Sequence, residues 1–308
     1  METRLRMRDL QLLIAIDEHK SISSAAASLR LAQPAASRTL MEMEQTLRVH
    51  LFERDRGKGM SATSAGELVL ARARAILADC RLMTMELEAH RSGIGGHLRL
   101  GVIPFAPGSM IQRLISVLIG AEHRMSVAVT EGSTTQLMHE LQREKLDAII
   151  ARCSTAEIAP GLTQETLFRQ EACLIAHKLS PLVRKEQIRL TDLADSTWLL
   201  PPRGTPTRLF IDEAFVAAGM LPPSPLVEAG SSRIIHLIIR ANRHMLGVIP
   251  SDVGTDLQAL GGVRSLPFPA PMKMPAVGLI YAKRHRETPA VSTLRLKARE
   301  LSSKPAPA

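Results

Sequence analysis

Gln33, Ser37 and Arg38 stand close together in "AQPAASRTL", and each carries a side chain that donates or accepts hydrogen bonds in a directed way. Near the start of a helix, a carboxamide, a hydroxyl and a guanidinium match the donor and acceptor edges that base pairs show in the major groove. Further on, "FERDRGKGM" offers Arg54, Arg56 and Lys58, cations suited to phosphate oxygens. A different chemistry is offered by "PFAPGS" (104–109), "EGSTT" (131–135), "PPRGTPT" (201–207) and "AGSS" (229–232). Such runs leave backbone N–H groups beside Ser and Thr hydroxyls, a setting for a small anion or polyol. Catalysis finds little support. There is no GxSxG, HExxH, P-loop or glycine-rich fingerprint after a strand, and the ten histidines are scattered. No Cys or His spacing suits a metal, and no cofactor is expected.

The elements around Gln33 explain why it stands there. Leu10, Leu13, Ile14 and Asp17 follow helical spacing over 7–19. Ser23 is placed to cap a second helix through Leu29, on which Ala25, Ala26 and Leu29 form a thin small-residue face. Small side chains let another helix come close, as a helix-turn-helix requires. "RLAQ" is the turn, and Pro34 falls in the first turn of a third helix, where its missing N–H is harmless. Ala36, Leu40, Met43 and Leu47 make the buried stripe of that helix, which turns Gln33, Ser37 and Arg38 outward. A recognition helix presents such residues to base edges; a plain solvated helix face is the alternative. Leu51 and Phe52 then plug the core, "DRGKGM" makes a tight basic turn and "SAT" returns as a strand. That pattern predicts a wing, with a solvated hairpin as the alternative.

A long helix is expected from about Ser64 to Ala89, with Ser64 or Thr63 as its cap. Val69, Ala73, Ile76, Cys80, Met83 and Leu87 alternate steps of four and three, a heptad seam suited to a paired helix in a dimer. Burial against the same chain is the rival. "RSGIGGH" ends the helix and predicts a hinge.

Beyond residue 97 strands and helices alternate. "LRLGVI", a helix near 108–119, "SVAVTEG", a helix near 133–145 and "DAIIAR" form one set; "WLLP", a helix near 205–218, "LVEA", a helix near 231–241 and "LGVIP" form another. The alternation argues for parallel sheets. "EACLIAH" joins the sets and "GVRSLPF" returns, which predicts two lobes with a cleft between them. Ligands of open parallel sheets bind beyond the carboxyl ends of strands. Phe105, Ser133, Thr134, Arg203, Thr205 and Ser231 are therefore the candidate ligand residues, with Arg208 as another source of charge. Ser and Thr at those positions also serve as ordinary helix caps.

Composition narrows the classes. The chain has 308 residues, enough for two or three domains, and 45% hydrophobic residues support full cores. Cys80, Cys153 and Cys173 are odd in number and far apart, which argues against a disulfide framework and fits a reducing cytoplasm. Arg4, Arg6 and Arg8 before "LQLLIAI" resemble a signal peptide faintly, but Gln11 interrupts the apolar run and "DEHK" closes it. No run is long enough for a membrane span. The net charge of +9 resides mostly beyond residue 98, since residues 1–65 hold ten Lys and Arg against eight Asp and Glu. Charge alone therefore does not identify a nucleic-acid partner.

Taken together, "SISSAAASLRLAQPAASRTLMEMEQTLRVHLFER" resembles the winged helix-turn-helix signature of the LysR-type transcriptional regulators. The match falls at Ala25, Ala26, Leu29, Gln33, Pro34, Ala35, Ser37, Glu44, Leu47, Leu51, Phe52, Glu53 and Arg54, and "TSAG" (63–66) and "GGHLRLG" (95–101) continue it. Ala32 departs from the capping Ser or Thr of that pattern, and Arg48 from its glycine. "LRVHLFERDRGKGM" is similar to the galactose-binding-protein-regulator branch, a weak pointer to a sugar ligand. The resemblance implies an α/β chain with an N-terminal winged helix-turn-helix (1–63), a linker and dimerisation helix (64–92) and a two-lobed periplasmic-binding-protein-like effector domain (93–300). Its lobes would be about 93–167 plus 268–300, and 168–267, with 301–308 a tail. It implies double-stranded DNA, bound at an imperfect inverted repeat through Ser23, Gln33, Pro34, Ser37, Arg38, Arg54, Arg56 and Lys58. Its other implied partners are a small polar or anionic effector, a second copy or three more, and RNA polymerase. A solute-binding protein and a cytoplasmic α/β enzyme are the rival classes. The first leaves residues 1–90 unexplained, and the second lacks a catalytic constellation.

Overall fold

The computed structural model describes residues 5–55, 59–92, 95–152, 158–159, 161–193, 196–268, 276–283 and 288–302. It falls into two units, Met1–Ser92 and Gly93–Ala308.

In the first unit helices α1 (Met7–His19), α2 (Ile22–Ser28) and α3 (Gln33–Leu47) precede a two-stranded ribbon, β1 (Phe52–Asp55) with β2 (Gly59–Ala62), and helix α4 (Ser64–Ser92). Ala25 and Ala26 are fully buried, so at these two positions α2 meets its neighbours with methyl groups alone. Leu12, Leu13, Ile16, Ala36, Leu40, Met43, Leu51 and Phe52 complete this core. Ser21, not Ser23, caps α2: its hydroxyl accepts from the Ser24 N–H at 3.4 Å. The reason is that Lys20 takes a left-handed conformation after α1, which leaves Ser21 as the extended residue before the next helix. Ala32 stands at the N-cap of α3 without a side-chain bond, and Arg48 ends that helix in the left-handed region. The Glu44 carboxylate accepts from the N–H groups of Leu51 (2.7 Å) and Phe52 (3.3 Å), tying α3 to the ribbon.

Thr63 rather than Ser64 caps α4, accepting from the Gly66 N–H at 3.0 Å. Gly66 is required there, because a Cβ would lie 2.0 Å from the Leu51 carbonyl oxygen. The heptad seam needs correction at its N-terminal end. Ala73 is buried beside Leu10 and Leu77 of its own unit, and Val69 packs against the helix-turn-helix core. Burial on that side follows Leu70, Ala73 and Leu77, whereas Ile76, Met83 and Leu87 are 46%, 58% and 60% exposed. Cys80 is half-buried. The two faces share a spacing, and contact with α1 selects which one is core.

The second unit holds two five-stranded sheets. One has the order β4 (Ser126–Glu131), β3 (His97–Val102), β5 (Ala148–Arg152), β12 (Val277–Ala282), β6 (Leu162–Phe168). The other runs β11 (Val263–Pro267), β7 (Ala172–His177), β10 (Met245–Pro250), β8 (Thr197–Leu200), β9 (Pro225–Glu228). Helices α5 (Gly108–Ile119), α6 (Thr134–Gln142) and α10 (Pro289–Ser302) pack on the first, and α7 (Pro206–Ala217), α8 (Ser232–Ala241) and α9 (Ser251–Ala259) on the second. The expected parallel sheets are in fact mixed. β3, β4 and β5 are parallel, as are β8, β9 and β10, but β12, β6, β7 and β11 pair antiparallel. The chain crosses between lobes after β6 and again after β11, and each crossing returns a strand in the opposite sense. Leu98, Leu100, Ile150 and Leu279 anchor one core. Trp198 and Phe215 anchor the other, ring edge to ring face at 5.9 Å. No helix among the described residues is long and apolar enough to cross a membrane.

Candidate DNA interface and ligand pocket

The N-terminal ends of α2 and α3 and the wing strands meet at a shallow depression of about 520 Å³, lined by Lys20, Ser21, Ser23, Gln33, Ser37, Arg54 and Gly59. Gln33 Nε2 donates to Ser37 Oγ at 3.3 Å. One N–H of the carboxamide is thereby held, and the residue itself is exposed. Pro34 and Arg38 are exposed on the same helix but do not line the depression. Arg56 and Lys58 lie outside the described residues. Lys20 and Ser21 escaped sequence reasoning, although the left-handed break after α1 is what places them.

Lys20 is itself fixed. Its Nζ donates to Asp17 Oδ1 at 2.7 Å, while Asp17 Oδ2 accepts from Arg74 Nη2 of α4 at 2.5 Å. Burial would raise the Asp17 pKa, but the hydrogen bonds and charges of Lys20 and Arg74 outweigh it and hold the carboxyl below its ordinary value. The Lys20 carbonyl accepts from the Met60 N–H at 2.8 Å, which seats β2 beside the C-terminal end of α1.

The second unit encloses a cavity of about 630 Å³. Its lining comes from the strand-to-helix loops of both sheets: Ile103 to Phe105, Glu131 to Gln136, Arg152, Pro202, Gly204, Thr205, Thr207 and Gly230. Phe105, Ser133, Thr134 and Thr205 are thus brought together. Ser133 caps α6 in a reciprocal box with Gln136, and Thr205 caps α7 by accepting from the Arg208 N–H. Both hydroxyls are engaged within their own loops, so what these loops present to the cavity is chiefly backbone. Thr134 Oγ1 donates to the Arg152 carbonyl at 3.3 Å.

Arg203 and Ser231 do not line the cavity. Arg203 is exposed on the turn before Gly204, and at the other loop it is Gly230 that faces inward. Arg208 is buried, but its guanidinium is used by Asp212 at 3.0 Å and Glu228 at 3.3 Å.

Among the described residues the cation of the cavity is instead Arg152, at the end of β5 and only 6% exposed. Its Nη2 donates to the Gln170 amide oxygen. Gln170 Nε2 in turn donates to both carboxylate oxygens of Asp252, at 2.7 and 2.8 Å, and to the Phe105 carbonyl at 3.3 Å. Burial pulls the Arg152 pKa down to about 10 against the raising effect of Asp252, so it stays charged at neutral pH. Burial likewise raises the Asp252 pKa, opposed by bonds from Gln170 and the Val253 N–H. Nothing in "DAIIAR" pointed to this role, because Gln170 and Asp252 lie 18 and 100 residues further on. Among the described residues, no group of His, Cys, Asp and Glu is placed to hold a metal ion.

Comparison with known proteins agrees with this two-part architecture. Residues 7–67 match the bacterial regulatory helix-turn-helix protein, lysR family, and residues 91–301 match the LysR substrate binding domain. The chain is 28% identical to the transcriptional regulator GbpR of Azospirillum brasilense, over 95% of this chain and 85% of that one. It is 31% identical to GbpR of Rhizobium radiobacter, over 80% of this chain and 82% of that one. Its fold is similar to that of full-length OxyR from Pseudomonas aeruginosa, with a TM-score of 0.65 and 22% identity over 97% of this chain and 96% of the other. A helix-turn-helix match and a substrate-domain match that together cover nearly the whole sequence leave one conclusion: the chain belongs to the LysR-type family of DNA-binding transcriptional regulators, not to a family of enzymes.

Proposed function

We propose that this regulator reads its operator with the N-terminal end of α3 and changes its DNA response when a small metabolite fills the cavity of the second unit. The observation that carries the first half is the depression in which Gln33, Ser37 and Arg54 converge. Gln33 and Ser37 read base edges, while Arg54 on the wing holds phosphate, with Arg56 and Lys58 beside it in sequence. The exposed row of Ile76, Met83 and Leu87 on α4 pairs with a second copy. A two-fold dimer then meets an imperfect inverted repeat, and its half-site spacing mirrors the protein symmetry. RNA polymerase is the downstream partner of such a regulator.

The second half rests on the cavity itself, walled by Ile103, Pro104, Phe105 and Pro202 and rimmed by the N-terminal ends of α6 and α7. A small polar or anionic metabolite suits that mixture. Gel-shift titration on DNA upstream of the protein's own gene tests the whole reading. Wild-type protein should bind it in preference to random DNA, and effector should alter that binding. Equal affinity for both DNAs would refute operator recognition.

A further inference from the structure

We propose that Arg30, in the turn between α2 and α3, is a phosphate-binding residue that fixes the position of α3 on DNA. The inference rests on the reading of α3 as the operator-reading helix, and it adds a residue that the helix-turn-helix resemblance does not supply. Arg30 takes a left-handed backbone, with φ 55°. Its N–H donates to the Ala27 carbonyl at 3.1 Å, and the Leu31 N–H donates to the Ala26 carbonyl at 2.8 Å. This pair of bonds ends a helix by turning one residue into the left-handed region, where glycine carries no Cβ penalty. A residue with a Cβ is strained there, and strain of this kind gathers at functional sites.

Three features separate Arg30 from an ordinary helix end. It lies three residues before Gln33, so its Cα stands within about 11 Å of the end of α3 that lines the depression. Its side chain is exposed and makes no hydrogen bond or ion pair with a described residue, whereas Lys20, also left-handed, is held by Asp17. The surrounding sequence also lacks counter-charge. All eight Asp and Glu of residues 1–65 fall outside 20–41, where Lys20, Arg30 and Arg38 are the charged residues. Cations without neighbouring carboxylates give a local positive potential that the small net charge of this region conceals. A guanidinium there suits phosphate oxygens, which carry no sequence information, so the role is one of positioning. Arg48 supplies the control. It has the same backbone, with φ 57°, at the far end of α3, and it is also exposed. Both arginines follow the carbonyl end of a helix, where a cation is favourable in any fold. That effect acts on both alike; nearness to Gln33 belongs to Arg30.

The test measures the full-length protein on two duplexes by fluorescence anisotropy. One duplex has random sequence, the other comes from upstream of the protein's own gene, and each is titrated between about 50 and 200 mM salt. Arg30→Gly should weaken both by the same factor, about threefold to tenfold at low salt, and reduce the salt slope by about one for each protomer bound. Arg30→Lys, which keeps the charge, should retain most of the affinity. Arg48→Gly should leave both affinities and the slope unchanged. Hydrogen exchange over α2 should be no faster in Arg30→Gly than in wild type, because glycine relieves the left-handed strain. A loss of DNA affinity is then not a loss of fold. Unchanged binding by Arg30→Gly overturns the proposal, as does an equal loss in Arg48→Gly. A loss confined to the upstream duplex overturns the phosphate role. A loss shared by Arg30→Lys, together with faster exchange, would assign the effect to folding and overturn it too. Base reading by Gln33 fails on a separate outcome, equal loss on both duplexes in Gln33→Ala, so either reading can fall while the other stands.

Discussion

The carboxylate of Asp256 on α9 accepts a hydrogen bond from the Gly108 N–H at 2.7 Å and a longer one from Ser109 at 3.3 Å. A helix of one lobe is therefore capped by a side chain of the other, since Pro107 at the N-cap of α5 offers no side-chain acceptor. Asp252, one turn earlier on α9, reaches the Phe105 carbonyl through Gln170. These contacts fix the two lobes beside the cavity wall. Asp256→Ala should destabilise the second unit by about 0.5–2 kcal/mol, the usual cost of a lost cap. Hydrogen exchange should accelerate at residues 108–110, and Asp256→Asn, which retains an acceptor, should recover most of the protection. Unchanged exchange in the alanine variant would show that the cap does not hold the lobes.

Operator discrimination should depend on Gln33 and Ser37 as a pair. Gln33→Ala and Ser37→Ala should each reduce discrimination by about 1–3 kcal/mol if they read bases. The double variant should lose less than the two single losses added, because Ser37 holds the Gln33 carboxamide. Arg54→Ala should weaken all DNA and reduce the salt slope by about one. Competition gel shifts on operator and random DNA separate these outcomes, and equal losses on both for Gln33→Ala would refute base reading there.

Helix α4 has two faces that respond differently to a charge. Ile76→Asp puts a carboxylate on the exposed row and should convert the assembly to monomers while the first unit stays folded. Ala73→Asp places the same charge in the packed contact with Leu10 and Leu77 and should destabilise that unit by at least about 2 kcal/mol. Sedimentation velocity and thermal melts distinguish the two. An unchanged assembly in Ile76→Asp would count against pairing through this helix.

Asp17 makes the first unit sensitive to acid. Its folded pKa is depressed, so its contribution is present above the unfolded value and lost as pH falls through the folded one. The stability gap between wild type and Asp17→Asn should thus be full at pH 7 and narrow below about pH 4, where free aspartate protonates. Chemical denaturation across that range measures it; a gap independent of pH would mean that Lys20 and Arg74 do not act on a charged Asp17.

Much of the first unit was determined by local pattern. The alanines of α2, the Ala36–Leu40–Met43 stripe and Pro34 in the first turn specify their helices through neighbours three and four residues away, and α3 runs over Gln33–Leu47 as that spacing requires. The positions of the strand-to-helix loops were legible for the same reason, which is why Phe105, Ser133, Thr134 and Thr205 meet at one cavity. Tertiary structure alone decided the rest. Val69 and Ala73 share a spacing with Ile76, but only the approach of α1 determines which side of α4 is core. Strands β6 and β12 are antiparallel because the chain crosses between lobes, a fact absent from any local window. Arg203 and Arg152 are both arginines at strand ends; one is left exposed on a turn, and the other is enclosed by Gln170 and Asp252. Hydrophobic periodicity records that a side chain is buried, and only the fold records what it is buried against.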